Sequence, residues 1–265
     1  MQWSLQVNET WLHRVNPSFK LIAIVLLFVA VLFIHNINVL VNMTLFMLLL
    51  YITSTGHSWK VKVVLLLPFT ILFFSSAVTM ILFGKGDTTW FQLGIVHISE
   101  ESFYRGVHIG LRALVFAFLG LLFALTTKPV LLFYSLMQQW KLPPKYAYSF
   151  LASIRLLPIM VEEFFTLQKA LKVRGIKQEK GMKAIIQKVT LYSIPLLSQS
   201  IRRAHRIAVA MEAKKFSQQK NRTYYYQVEY SKNDVIFTTV LLMVLLISFV
   251  SATFFPYFSI TDVRY

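Results

Sequence analysis

Phe150-Leu-Ala-Ser-Ile-Arg155-Leu-Leu-Pro158 opens a basic segment that ends in Ala210-Met-Glu212-Ala-Lys214-Lys215-Phe216, and the fold is read outward from it. Phe150, Ile154, Leu157, Val161, Phe164 and Leu171 recur at spacings of three, four or seven, which predicts an amphipathic helix. After a break near Gly175 the pattern resumes at Met182, with Ile185, Val189, Tyr192 and Leu196 forming a second stripe. Lys169, Lys172, Arg174, Lys177, Arg202, Arg203 and Arg206 sit between the stripes, so the segment is too charged to cross a membrane. Two long amphipathic helices are expected, each closing on a basic tip.

The rest of the chain is the opposite in character. Of 265 residues, 56% are hydrophobic and 14% charged, against about half and a quarter in soluble domains. The chain is therefore all-α and polytopic. It contains no cysteine, which excludes disulfides, thiolate metal sites and cysteine nucleophiles. The six histidines show no i, i+4 pair, so no metal site is expected. The polar N-terminus, ending in His13-Arg14, lacks the pattern of a cleaved signal, so the first span is expected to remain.

Five spans are expected: Lys20–Ile34, Ile37–Thr53, Val61–Phe83, Gly106–Thr126 and Val235–Phe255. The first is short against the about 20 residues of a straight crossing, so it must borrow flanking residues or sit in thinned bilayer. Pro68 is tolerable as a kink in the third. Gly84 to Arg105 is a polar excursion whose Trp90-Phe-Gln-Leu-Gly-Ile-Val run fits either a strand or a surface helix. Three regions follow: residues 1–127 as a transmembrane domain of about four spans, 128–232 as a cytoplasmic coupling domain, and 233–265 as a last span and tail.

Lysine and arginine orient the chain. Residues 128–232 hold 19 basic against 5 acidic residues, +14 of the formal +16, and are read as cytoplasmic. The loop at 84–105 is net acidic and is read as outside. Trp3, Trp11, Trp59, Trp90 and Trp140 all lie off the span centres, as interfacial anchors do.

Gly84-Lys-Gly-Asp-Thr-Thr only superficially resembles a P-loop, so the chain has no motif for binding and hydrolysing ATP. No Asp or Glu stands at a span centre, where an ion-coupled carrier would need one. Arg112 lies near the outer end of the fourth span, where snorkelling accounts for it. Arg174-Gly175 reads blandly as a helix C-cap, and Lys214-Lys215 as solvated surface or a rest on anionic lipid. Nucleic acid is not an expected partner, because the charges alternate with apolar stripes. What raises the tips above these readings is their repetition: Val173-Arg174 and Ala213-Lys214 each close a long helix.

Four patches carry a resemblance. They are Leu12-His13-Arg14 with Pro17 and Lys20-Leu21; Leu142-Pro143; Arg155, Pro158, Glu162, Ala170 and Arg174-Gly175; and Pro195, Arg203-Ala204 and Ala210-Met211-Glu212-Ala213. Together the chain resembles the transmembrane T component of energy-coupling factor (ECF) transporters, the family that includes cobalt and nickel permease subunits. The resemblance implies a multi-pass protein of a bacterial or archaeal cell membrane. It would be a non-catalytic subunit without cofactor, coupling two separate ABC-type ATPase subunits to a small membrane-embedded, substrate-binding S component.

Vitamin or metal-ion uptake is implied, with thiamine or its pyrimidine precursor as the cargo named. The implied ATPase-coupling residues are Val173, Arg174, Gly175, Ala213, Lys214 and Lys215. Arg155, Pro158, Glu162, Pro195, Arg203 and Glu212 are their implied helix support.

The chain departs from the family's pair of Ala-Arg-Gly tips. Val173 stands for the first alanine, and Lys214-Lys215 for the second arginine and glycine. Lysine keeps the charge and loses the fork, and loss of the glycine implies that the second helix ends differently. A dedicated T component is expected over a shared one. The rival class is a self-contained channel or carrier without ATPases, for which Asn42, Thr44, Ser75, Ser76 and Thr79 are too few and too uncharged. A third reading is a structural protein whose basic helices serve only the lipid.

Overall fold

The computed structural model describes residues 8–84, 86, 88–93, 96–175, 182–216 and 223–258. They divide into two compact units: residues up to 135 together with those from 228 onward, and residues 136–227. The first holds a short 3-10 helix Trp11–Arg14, then α1 (Pro17–Leu32), α2 (Ile37–Ser54), α3 (Trp59–Phe83), a β-hairpin, α4 (Glu100–Thr126) and α8 (Lys232–Phe254). α2, α3, α4 and α8 are long and apolar enough to cross a membrane. α1 is apolar but has 16 residues, about 24 Å at 1.5 Å per residue, against a hydrocarbon core of about 30 Å.

Local chemistry sets where these helices begin. Asn16 Oδ1 accepts from the Ser18 N–H at 3.2 Å and Pro17 follows at N1, so α1 starts earlier than the apolar run at Lys20. Asn36 caps α2 at the tight corner, accepting from Asn38 N–H at 2.9 Å. Ser99 and Ser102 form a reciprocal capping box, with Glu100 and Glu101 in the first turn. α4 therefore begins two turns before Gly106, and the excursion expected to run to Arg105 ends at Ser99. Acidic residues at a helix N-terminus satisfy its exposed N–H groups and dipole, which is why charge alone misread this boundary. Before it, β1 (Thr89–Leu93) pairs antiparallel with β2 (Val96–Ser99), so Trp90 to Leu93 lie in a strand and Val96 opens the next, while Gly94 and Ile95 lie outside the described residues.

α2 lies deepest: Ile37 is fully buried, and Leu40, Met43, Met47 and Tyr51, equally buried, belong to a cluster that includes Val115, Phe118 and Leu119 of α4 and Phe237, Leu241 and Val244 of α8. α3 is peripheral, with Val64, Leu67, Ile71, Phe74 and Val78 exposed. It is held to α4 through Gly106 and Gly110. A Cβ at Gly106 would come within 2.7 Å of Ile81, and one at Gly110 within 2.7 Å of the Phe73 ring. This is the small-xxx-small pattern that lets two membrane helices approach closely.

Three cations donate to carbonyls at or just beyond helix C-termini. The buried Lys20 of α1 donates from Nζ to the Leu12 carbonyl at 2.6 Å and to the Thr126 carbonyl and hydroxyl at 3.2 and 3.1 Å, where α4 ends. In return, α4 sends Arg112 Nη2 to the Ile34 carbonyl at 2.8 Å, just past α1, with His108 Nε2 at 3.2 Å from the same oxygen. Arg112, expected to snorkel near the outer end of its span, is half-buried and holds the corner that follows its antiparallel neighbour. Lys62 Nζ donates to the Ile52 carbonyl in the last turn of α2.

α8 is tied in at both ends. Asp234 accepts from the Asn16 and Ser231 N–H groups at 2.7 and 2.8 Å. Asn38 Oδ1 accepts from Tyr257 and Phe258 N–H at 3.0 and 2.9 Å, while its Nδ2 donates to the Phe258 carbonyl at 3.0 Å.

Two outcomes follow from this packing. Lys20→Met should lower stability by about 1.5–3 kcal/mol, because it orphans buried acceptors at two chain segments; thermal unfolding in detergent reads the loss, and an unchanged midpoint refutes the cap. Gly110→Leu should detach α3 at a cost of about 1–3 kcal/mol through overpacking. A cysteine pair placed across α3 and α4 in this cysteine-free chain should then cross-link less than it does without the leucine.

Candidate coupling site

The second unit is built on α6 (Pro144–Val173) and α7 (Met182–Ala213), reached through α5 (Pro129–Gln139), within which the two units meet in sequence. Lys141, with φ 53, and the Leu142 N–H bonded to the Leu136 carbonyl at 3.1 Å end α5 in a left-handed turn. Pro143-Pro144 then starts α6, since proline at the first helical position has no N–H to leave unpaired. Pro158 and Pro195 lie inside α6 and α7, each removing one internal hydrogen bond.

α6 and α7 run antiparallel across each other. At the crossing Met160 meets Ser200, Gln199 Nε2 donates to Glu163 Oε1 at 3.1 Å, and the Phe164 and Tyr192 rings lie 5.2 Å apart. Arg203 Nη2 pairs with Glu163 Oε1 in the same place. The pair is half-buried and one-armed: Arg203 Nη1 and Glu163 Oε2 are buried without a partner among the described residues. Further along, the Tyr148 and Phe216 rings stack edge-on at 5.3 Å, bringing the start of α6 to the end of α7.

This packing sorts the apolar stripes read from sequence. Phe164, Leu171, Tyr192 and Leu196 turn inward, while Phe150, Leu157, Val161 and Val189 are exposed. The first stripe therefore mixed two faces, because α6 is apolar on more than one side and periodicity does not say which side has a partner. Ile185 lies among the residues whose side chains fall outside the description. The exposed face of α7 carries Leu191, Ile194, Leu197 and Ile201.

Both helices end in the same turn. Val173 is the last residue of α6; Arg174 and Gly175 N–H bond to the Ala170 and Lys172 carbonyls at 3.1 and 3.2 Å, and Gly175 has φ 73. Ala213 is the last residue of α7; Lys214 and Lys215 N–H bond to Ala210 and Glu212 carbonyls at 3.2 and 2.8 Å, and Lys215 has φ 55. Contrary to the expectation that losing glycine changes the ending, lysine takes the left-handed position itself. Val173, Arg174, Gly175, Ala213, Lys214 and Lys215 are all exposed.

Because the helices are antiparallel, their tips lie at opposite ends of the pair. From Tyr148, beside the α7 tip, to Arg174 is 26 residues of α6, about 39 Å at 1.5 Å per residue.

The model of the cobalt transport protein family, CbiQ, matches residues 8–225, which take in α1 to α7 and both tips. The chain belongs to that family. Its relatives include proteins named energy-coupling factor transporter transmembrane protein EcfT. The one from Listeria innocua is 29% identical, covering 82% of this chain and 84% of the relative. Those from Bacillus subtilis and Streptococcus thermophilus are each 28% identical, over 88% and 92% of this chain and 92% and 95% of theirs. This CbiQ-family chain is thus a multi-pass membrane component of the ECF T type.

The implied support residues are unequally placed in this CbiQ-family chain. Arg203 is at the crossing, and its carboxylate is Glu163, which the sequence reading passed over for Glu162; Glu162 is exposed. Adjacent glutamates on one helix point about 100° apart, and only the facing element decides which is used. Arg155, Pro158 and Pro195 are exposed, and Glu212 contributes its carbonyl to the tip turn. Glu163→Ala should therefore cost about 1–3 kcal/mol by stranding Arg203, and Glu162→Ala less than about 0.5 kcal/mol. Unfolding midpoints of the two variants test this, and equal losses would refute the assignment.

Proposed function

We propose that this chain couples ATP hydrolysis by two separate ABC-type ATPase subunits to a membrane-embedded S component that imports a vitamin or metal ion. The carrying observation is the pair of exposed cationic tips with one turn geometry, at opposite ends of an antiparallel helix pair. A span of about 39 Å suits two docked subunits better than one.

Arg174 and Lys214 dock into the two ATPases on the cytoplasmic side. Closure of the ATPase dimer draws the tips, and α6 and α7 act as levers. The uncovered apolar residues of both helices, Phe150 and Leu157 on α6 and Ile194 and Leu197 on α7, suit an apolar membrane partner, the S component. Cargo chemistry lies with that partner, and thiamine or its pyrimidine precursor is the cargo named. The channel reading has less support, because the Thr44, Ser76 and Thr79 hydroxyls each donate to a backbone carbonyl of their own helix.

Arg174→Ala removes a charge-assisted contact worth about 1.5–3 kcal/mol, so ATPase retention should fall roughly tenfold to hundredfold. Lys214→Ala should cost less, since an ammonium makes a point contact where guanidinium makes a fork. ATPase chains recovered per tagged full-length chain, and substrate uptake by cells, measure both. Full recovery and normal uptake in the Arg174→Ala, Lys214→Ala double variant would reduce the tips to helix caps.

A further inference from the structure

Lys215 holds a backbone conformation that glycine adopts freely and that any residue with a Cβ adopts at a cost. The surrounding turn enforces it. The Lys215 N–H bonds to the Glu212 carbonyl at 2.8 Å, the Phe216 N–H to the Met211 carbonyl at 3.0 Å, and the Phe216 ring is seated on Tyr148. The same turn at the α6 tip uses Gly175, where a Cβ would meet nothing within 4 Å, so that glycine answers to φ and not to space. As far as the fold is concerned, glycine would serve better at position 215.

Among the described residues the lysine side chain finds no compensation. Lys214 and Lys215 are both exposed, and neither ammonium has a hydrogen-bond or carboxylate partner among the described residues. A strained residue in an exposed turn, its charge without a partner among the described residues, points to a partner outside the chain.

We propose that Lys215 is a second recognition cation at the α7 tip, meeting a carboxylate on the ATPase subunit docked there. This rests on the docking role of the tips given above. The α6 tip presents one guanidinium beside a glycine and the α7 tip two adjacent ammoniums, so the tips are not interchangeable, and the surface received by α7 is the more acidic.

The test uses the complex purified by a tag on the full-length chain from its own cells, with the ATPase chains identified by mass spectrometry. Lys215→Gly keeps the turn and removes the charge, and Lys215→Arg keeps the charge. Lys215→Gly should raise the thermal midpoint of the isolated chain. It should also speed loss of one ATPase copy per chain by about two- to fivefold in a sodium chloride wash, the range of one exposed ion pair, while the other copy stays. Lys215→Arg should hold both copies as wild type does.

Wild-type salt resistance in Lys215→Gly overturns the proposal, as does equal loss of both copies. If Lys215→Gly instead weakens only co-sedimentation with phosphatidylglycerol vesicles, the lysine serves lipid and the proposal fails. Failure of the docking reading is distinct: there the Arg174→Ala, Lys214→Ala variant keeps both ATPase copies.

Discussion

An α-helix that stops within or beside a bilayer leaves its last four carbonyls without intrahelical partners, where water is scarce and an unmade hydrogen bond is costly. Two helices of the membrane unit meet this constraint with a positive side chain from a neighbour, Lys20 at the end of α4 and Lys62 on the last turn of α2, and Arg112 serves the Ile34 carbonyl in the corner just beyond α1. A cation is the apt donor, since the helix dipole leaves partial negative charge there. α1 and α4 exchange such bonds, one at each end of an antiparallel pair. Sliding either helix along the other would break both at once, so the exchange fixes the register of the bundle. α8 is fixed by backbone clamps of the same kind, through Asp234 and Asn38.

The unit of residues 136–227 is held differently. One crossing, with one partly matched charge pair and a few ring contacts, joins two helices of about thirty residues. Both helices carry large apolar side chains that no described residue covers. Exposed apolar faces of this kind mark interaction surfaces.

The capping and docking readings of the tips do not compete at the level of geometry. The left-handed turn that satisfies the last carbonyls of α6 and α7 is also what holds Arg174 and Lys214 clear of their helices. The distinction lies in energy. Capping accounts for the glycine at 175, but it gives no reason for lysine at 215, where the turn is less comfortable than with glycine.

The sequence by itself determined whatever depends on near neighbours. Apolar runs placed the spans, the basic imbalance marked off the two long amphipathic helices, and the tip turns were legible because helix termination is decided within a few residues. Tertiary structure decided the rest. Lys20 bonds to Thr126 across 106 positions and Arg112 to Ile34 across 78, so no local pattern could reveal what either charge does. The choice of Glu163 over Glu162, and of which apolar face of α6 is packed, likewise follows from where α7 crosses. A periodic sequence specifies that a helix has faces; only the chain folded against it determines which face is used.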